Sequence, residues 1–442
     1  MFPAALLLLS LGYPVAFSLG GVAILFALIG SSLGVFNLNF FGNLSLQIFE
    51  IMGTNQPSLL LAIPYFIFLG SMLEKTGIAE KLLETMGILF GRVRGGLALA
   101  VVFVGGLLAA STGVVAATVV AMGLISLPIM LRYGYNKELA TGVIVASGTL
   151  GQIIPPSVVL VILADQLNAT FKEVTVGDLF IGSLIPGILM ATAFAIHVLI
   201  VGFFRPDAAP ALPAEVRQIG TRALLVKVLK VMMPPLLLIV LVLGSIFFGI
   251  ATPTEAGAVG SLGAIVIAAA NNKLNWAALK SVCDTTLRVS AMVIFILVGS
   301  KAFSLVFLGL GGDSFMTNLL SNLPGGEIGF LIVSMITIFI LGFFIDFFEI
   351  AFIVVPIFAP VAQQLGLDPI WYGVIIGANL QTSFLTPPFG FALFYLRGVA
   401  PPQINTEDIY RGAIPFILLQ LLVLILIITF PEIVSFLPSI SQ

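Results

Sequence analysis

Two strings in this sequence set adjacent prolines among small hydroxylated and carboxamide residues. The first is Ala146-Ser147-Gly148-Thr149-Leu150-Gly151-Gln152-Ile153-Ile154-Pro155-Pro156-Ser157, the second Asn379-Leu380-Gln381-Thr382-Ser383-Phe384-Leu385-Thr386-Pro387-Pro388-Phe389-Gly390. Two successive prolines remove two backbone donors and clash with the preceding turn, so a helix opens there. An opened helix at membrane depth frees carbonyls that coordinate cations. It also exposes a half-helix N-terminus, whose positive dipole end favours an anion. Those N-termini fall near Pro156-Ser157 and Pro388-Phe389. Ser, Thr and Asn oxygens beside freed carbonyls form a cage that suits Na⁺ better than a transition metal. One such string alone suits a packing kink equally well. Two, each following a hairpin-length apolar stretch, favour ion and substrate binding.

Asp346 and Glu349 interrupt the apolar stretch from Ile328 to Leu367. Intramembrane carboxylates face a cavity or a partner rather than lipid, and at i and i+3 these two share a helix face. Na⁺ coordination, proton coupling and a place in the substrate's surroundings are the functional alternatives; a hydrogen bond to opened backbone is the structural one. Lys301 and Arg397 suit snorkelling or topogenic roles, and Arg397, on the second broken helix, could also hold a carboxylate. His197 suits a packed or interfacial position, and Cys283 carries no signal.

The elements around these residues follow from composition. Of 442 residues, 60% are hydrophobic and only 9% charged, against ~25% charged in soluble chains. Mean hydropathy is +1.20. Apolar runs such as Met1 to Phe36, Gly95 to Leu131, Met232 to Pro253 and Ile414 to Phe430 recur along the chain, and ~20 apolar residues span a bilayer as helix. The expected class is an all-α polytopic membrane protein. Blocks such as LLLLS and VVLVIL lack the alternation a β-barrel needs. A net charge of -2 gives no reason to expect nucleic-acid binding. One cysteine excludes an internal disulfide, and one histidine argues against a zinc or haem site. No nucleophile-base pair, metal cluster or Gly-x-x-x-x-Gly-Lys-Ser/Thr loop supports an enzyme, an ATP-driven pump or an organic cofactor. The N-terminus lacks a basic n-region and a cleavage site, so a first span is expected there rather than a signal peptide.

Basic residues mark cytoplasmic span ends. Arg92 and Arg94 precede, and Arg132 and Lys137 follow, an uncharged 37-residue stretch from Gly95 to Leu131. Both ends are therefore assigned to the cytoplasm, and Ala110-Ser111-Thr112-Gly113 at its middle suits a hairpin tip. Arms of about 16 to 18 residues reach only ~25 Å, as in a re-entrant loop. Between Lys301 and Arg397 there is no Lys or Arg, while Asp313, Glu327 and Asp368 fall in the loops. The second hairpin, Ile328 to Leu367 with Gly342 to Asp346 at its tip, is accordingly expected to open from the other side. Phe66 to Ser71 resembles Phe295 to Ser300 at an offset of 229; Pro128 matches Pro356 at 228, and Pro155-Pro156 matches Pro387-Pro388 at 232. Together with the charge reversal these indicate an inverted-topology repeat.

The expected organisation is a first repeat over 1–204 (hairpin about 95–131, broken helix about 139–168), a basic cytoplasmic linker over 205–230, and a second repeat over 231–442 (hairpin about 328–367, broken helix about 369–397). The later linker has amphipathic spacing suited to a membrane surface. Ile78 to Phe90 and Trp276 to Arg288 suit horizontal arm helices, with Trp276 at an interface. Symmetry pairs Pro14 with Pro253 and leaves Met1 to Leu11 as either a short helix of ~17 Å or part of one kinked span over residues 1 to 33.

These features resemble the DctM-like large membrane subunit of tripartite ATP-independent periplasmic (TRAP) transporters over essentially the whole length. The resemblance rests on Leu11-Gly12-Tyr13-Pro14-Val15-Ala16-Phe17, Gly91-Arg92-Val93-Arg94-Gly95-Gly96, Ser111-Thr112-Gly113, Thr386-Pro387-Pro388-Phe389-Gly390 and, most specifically, Gly151-Gln152-Ile153-Ile154-Pro155-Pro156-Ser157. It implies an ion-transporter-superfamily elevator in the bacterial inner membrane that takes up an organic acid anion with a Na⁺ gradient. It further implies a separate small four-helix membrane subunit and a periplasmic substrate-binding protein as partners. One implied Na⁺ site joins Ser111 and Gly113 to Ser147, Gly148, Thr149 and Gly151. The second joins Gly342 and Asp346 to Asn379, Gln381, Thr382 and Ser383. Substrate would lie between them, against Ser111, Thr112, Pro155, Pro156, Ser157, Thr386, Pro387, Pro388, Gly390 and Arg397. The alternative is a stand-alone organic anion carrier coupled to H⁺ through Asp346 and Glu349.

Overall fold

A computed structural model describes residues 1–52, 59–172, 174–217, 220–387 and 389–441. Among these residues there are helices and no strands, and eight helices are long and apolar enough to cross a bilayer. Leu61–Lys75 and Ile78–Phe90 together make a further candidate, bent by 62°. The apolar helices too short to cross are Gly96–Ala110, Val158–Phe171 and Glu327–Leu341. They are the first arms of the two hairpins and the first half-helix.

Hairpin one is Gly96–Thr112 packed on Val115–Arg132. Gly95 (φ 80°) and Gly113 (φ 62°) bracket its first arm in the left-handed region that glycine enters without a Cβ clash. Asn136 then caps Lys137–Thr149 by accepting from the Leu139 amide. That helix ends in a 3-10 turn, Leu150–Gln152, and resumes as Val158–Phe171 after an extended Ser157. A capping box of Thr175 and Asp178 opens the 29-residue helix Val176–Phe204.

The second half repeats this order. Glu327–Leu341 breaks at 342–346 and returns as Phe347–Gln364, which contains a π-turn over Ile350–Val354. Asp368 caps Pro369–Leu385, Phe391–Val399 follows, and a capping box of Asn405 and Asp408 opens Thr406–Thr429. Helix starts recur at nearly constant separation: Lys137 and Pro369 by 232 residues, Val176 and Thr406 by 230.

Two expectations need amendment, and one pair of alternatives is resolved. Trp276–Gly309 is one continuous helix of 34 residues, so 276–288 is not a separate arm segment; Gly312–Ser321 takes the place equivalent to Ile78–Phe90. Asn275 caps that long helix, and no glycine or proline interrupts it before Gly299. Lys301 therefore sits inside a helix instead of at a span end. Of the two N-terminal alternatives, the short helix is found: Phe2–Ser10 ends before a turn at Gly12 (φ 84°), and Val15–Ser32 begins anew.

The linker is more than a connection. The carbonyls of Ala208 and Ala209 accept from the amides of Asn136 and Gly95, each at 2.9 Å, and the Leu212 amide donates to the Gly91 carbonyl at 3.0 Å. It thereby holds both feet of hairpin one. Its later part, Thr221–Val231, packs on Ile78–Phe90, with Lys227 2.8 Å from Glu84.

Candidate ion and substrate site

Each broken helix lies against the hairpin of its own half, and glycines set how closely. A Cβ on Gly113 would come 2.7 Å from the Val158 amide nitrogen, so the tip of hairpin one covers the first peptide of the half-helix. Gly105 leaves room for the Ser147 hydroxyl, and a methyl on Gly151 would collide with the Ala109 carbonyl. Ser147, Gly148, Thr149 and Gly151 thus form one surface with the hairpin-one arms and Gly113. Ser147 Oγ donates to the Ile144 carbonyl (3.1 Å) and Thr149 Oγ1 to Ala146 (2.9 Å). A hydroxyl that donates to its own helix keeps its oxygen lone pairs free, but one of those on Thr149 already accepts from Gln420 Nε2 at 3.1 Å. Ser157 Oγ donates to the Gln152 carbonyl (3.1 Å) rather than capping the half-helix, whose first residues are wholly buried. The first N–H groups of this half-helix are thus buried without a side-chain acceptor.

In the second half Gly342 closes on the Ser383 hydroxyl. Asn379 Nδ2 donates to the Met335 carbonyl of hairpin two (2.7 Å), while Thr382 Oγ1 and Ser383 Oγ donate to the Ala378 and Leu380 carbonyls, each at 2.9 Å. Asp346 caps the returning arm, its Oδ1 accepting from the Phe347 amide at 2.7 Å. Glu349 Oε2 is buried without a hydrogen-bond partner. Both carboxyl groups lie in the neighbourhood of Tyr395 on the second half-helix.

The structure therefore brings together Gly342, Asn379, Thr382 and Ser383 in one half and the Ser147 to Gly151 group in the other. Other expected residues lie elsewhere. Pro156 is buried, Thr386 and Pro387 are half-buried, and Gly390 opens Phe391–Val399. Pro155 lines an apolar cavity of about 560 Å³ between Gly96–Thr112, Val176–Phe204 and Met233–Phe247. Arg397 is exposed at the end of its half-helix, where its guanidinium donates to the Ile404 carbonyl. Pro388 and the side chains of Ser111 and Thr112 lie outside the described residues. His197 packs its ring on Phe416 with centroids 5.1 Å apart.

Two residues emerge that the sequence did not single out. Asp165, on the first half-helix, accepts from Gln166 (2.8 Å) and lies near Lys301. Lys301 in turn lines a cavity of about 360 Å³ with Ser300, Ser304, Asp313, Gln166 and Thr170. Gln152 is fully buried and unpartnered. The criterion that selected Asp346, an acid in apolar sequence, also fits Asp165, and Gln152 and Gln381 each lie just ahead of the paired prolines of their own break.

Residues 2–433 match the family model of the tripartite ATP-independent periplasmic transporter, DctM component. The chain belongs to this family. Among DctM relatives, the C4-dicarboxylate TRAP transporter large permease protein of Pseudomonas aeruginosa is 32% identical, over 90% of this chain and 89% of its own length. The sialic acid TRAP transporter large permease protein of Vibrio cholerae is 28% identical over 98% and 96%. The crystal structure of the Alcanivorax borkumensis YdaH transporter covers 98% of this chain and 100% of its own with a TM-score of 0.61 and 14% identity, a likeness of fold. A DctM chain with this fold is a multi-pass TRAP large permease subunit.

Proposed function

We propose that this DctM-family chain imports an organic acid anion across the bacterial inner membrane, coupled to Na⁺, by an elevator movement of the hairpin-bearing body. The observation that carries this is the duplicated junction: in each half a helix break rich in hydroxyl and carbonyl oxygens lies against a hairpin. The oxygens at Ser147 to Gly151, with Gly113, would hold one Na⁺. Those of Asp346, Asn379, Thr382 and Ser383, near Gly342, would hold another, and the half-helix N-termini at Val158 and Phe391 would draw the anion between them. The inverted arrangement of the two halves over 1–204 and 231–442, with re-entrant hairpins, belongs to the same proposal. A small four-helix membrane subunit and a periplasmic binding protein complete the assembly, as the family's tripartite description implies. Relatives named for C4-dicarboxylate and sialic acid point to a carboxylate substrate.

Uptake of radiolabelled organic acids into proteoliposomes containing this chain and its small subunit tests the proposal, with Na⁺ gradient and binding protein varied independently. Transport that needs both is the expected result. The unpartnered Glu349 oxygen beside Asp346 favours a second reading, a stand-alone carrier coupled to H⁺. Uptake driven by a pH gradient without the soluble protein would establish that instead.

A further inference from the structure

Gln152 and Gln381 each precede the proline pair of their own half, by three and six residues, and both are 0% exposed. Neither carboxamide has a hydrogen-bond partner on its oxygen or its nitrogen. Exchanging oxygen and nitrogen of either amide would not change that. Together the two amides carry four N–H donors. A buried donor without an acceptor is rarer in proteins than a carbonyl with spare lone pairs, and leaving it bare is costly. What the pair lacks first is an acceptor.

Their surroundings show where that acceptor sits. On Pro369–Leu385, Asn379, Thr382 and Ser383 share the face turned to hairpin two, where Asn379 bonds Met335 and Ser383 meets Gly342. Gln381 lies on the other side with Gly377, one turn earlier. A Cβ on Gly377 would meet Leu160 at 3.6 Å and the Gln152 carbonyl and Leu163 at 3.8 Å. This face therefore looks onto the first break and its half-helix. A methyl at Gly377 would meet these atoms at ordinary contact distance, whereas one at Gly373 would come 2.7 Å from Leu167. A long side chain on a helix leans toward the N-terminus, which carries Gln381 over Gly377 toward Gln152. The nearby half-helix start at Val158, without a side-chain cap, adds further donors.

We propose that Gln152 and Gln381 form a single anion subsite between the two halves, in which both carboxamides donate to a carboxylate of the transported acid. This rests on the transport function proposed above and adds residues that neither hairpin supplies. A cation there would satisfy the two amide oxygens and leave all four N–H groups bare.

The test is thermal unfolding of the purified full chain in detergent micelles with succinate, N-acetylneuraminate or Na⁺ added. The variants are Gln152→Leu, Gln381→Leu, the double substitution, and Gly377→Ala, which the 3.6 Å clearance accommodates while setting a methyl beside the Gln152 carbonyl. An acid should stabilise the wild type, and each single Leu variant should weaken that response by about tenfold or more in apparent affinity, the scale of a hydrogen bond to a charged group. The double variant should be little worse than either single one, since both amides hold one ligand. Gly377→Ala should fold normally and lose the acid response, and the response to Na⁺ should persist in all four. A wild type stabilised by neither acid, an acid response intact in the variants, or a Na⁺ response lost in its place overturns the subsite. Proteoliposome uptake separates the two ideas. A wild type that binds acid but needs neither Na⁺ nor the soluble protein defeats the transport proposal alone, and variants that transport as wild type defeat the subsite alone.

Discussion

Asp346 does two jobs that substitution can separate. Its carboxylate caps the Phe347 amide and brings charge to the hairpin-two tip. Asp346→Ala removes both, and the lost cap alone costs ~1 kcal/mol. Asp346→Asn keeps an oxygen for the cap and removes the charge. Both should depress Na⁺-driven uptake by about tenfold or more, the loss of a charged ligand, but only the alanine variant should unfold at lower temperature. Wild-type uptake in Asp346→Asn would mean that the side chain only caps. Glu84→Gln is the contrasting case: its pairing with Lys227 lies at the surface, 60% and 30% exposed, and is worth no more than ~1 kcal/mol. Thermal midpoint and uptake should both stay put. The Pro-Pro strings made Asn379, Thr382 and Ser383 visible in the sequence because proline chemistry is local. The side of the helix taken by Gln381 was not visible, since it depends on which neighbours arrive from the other half. Asp165 meets the criterion of an acid in apolar sequence on its N-terminal side only, since the polar Gln166 to Thr170 stretch after it looks like a helix end.

Hairpin one depends on its foot as well as its tip. At the foot, the Leu97 amide donates to the Tyr135 hydroxyl at 3.2 Å, and burial pushes that phenol from 10 up to about 12. In the unfolded chain the phenol ionises near its ordinary value, so the stability gained by burying the neutral phenol is complete below about pH 10 and is lost as pH rises toward about 12, while the Leu97 amide, which favours the phenolate, works against that loss. Tyr135→Phe should abolish that alkaline loss while costing ~1–3 kcal/mol at neutral pH, because the Leu97 amide is left without its acceptor. Thermal midpoints of the two proteins measured across pH 8 to 12, as a range of conditions on the order of the shift itself, decide it: parallel curves would remove Tyr135 from the account. Both hairpins, both breaks and the repeat were readable from proline positions, apolar lengths and the charge reversal. The continuity of Trp276–Gly309 was not, because amphipathic spacing up to Arg288 and apolar sequence after it suggested two elements. Nor was the hold of Ala208 and Ala209 on both feet of hairpin one, which is made by backbone groups without side-chain signature.

Packing differs between the interior of each body and the seam between them. Gly299 lies against the Ala16 carbonyl, and Gly260 and Gly263 admit Leu69 and Leu238, so Val15–Ser32, Leu59–Lys75, Met233–Phe247, Pro253–Ala270 and Trp276–Gly309 meet at close range. In the hairpin-bearing body Gly142 and Gly412 bring Lys137–Thr149 onto Thr406–Thr429 equally closely. Small residues let helix backbones approach in this way, and such contacts do not slide. The cavities of about 360 and 560 Å³ instead lie between the two sets of helices. That boundary also carries direct contacts, since the Ser300 hydroxyl donates to the Phe352 carbonyl and the Phe66 ring packs on Phe180. Ala191, half-buried on Val176–Phe204, lines the larger cavity. Ala191→Trp should fill apolar space, leaving the thermal midpoint equal or higher. If the bodies slide along this seam, uptake should nevertheless fall by about tenfold, a barrier increase near 1.4 kcal/mol. Leu262→Trp, on the outward face of Pro253–Ala270 and 64% exposed, adds the same ring away from the seam and should leave uptake unchanged. Equal uptake in the two variants, with Ala191→Trp stably folded, would show that transport does not move this seam.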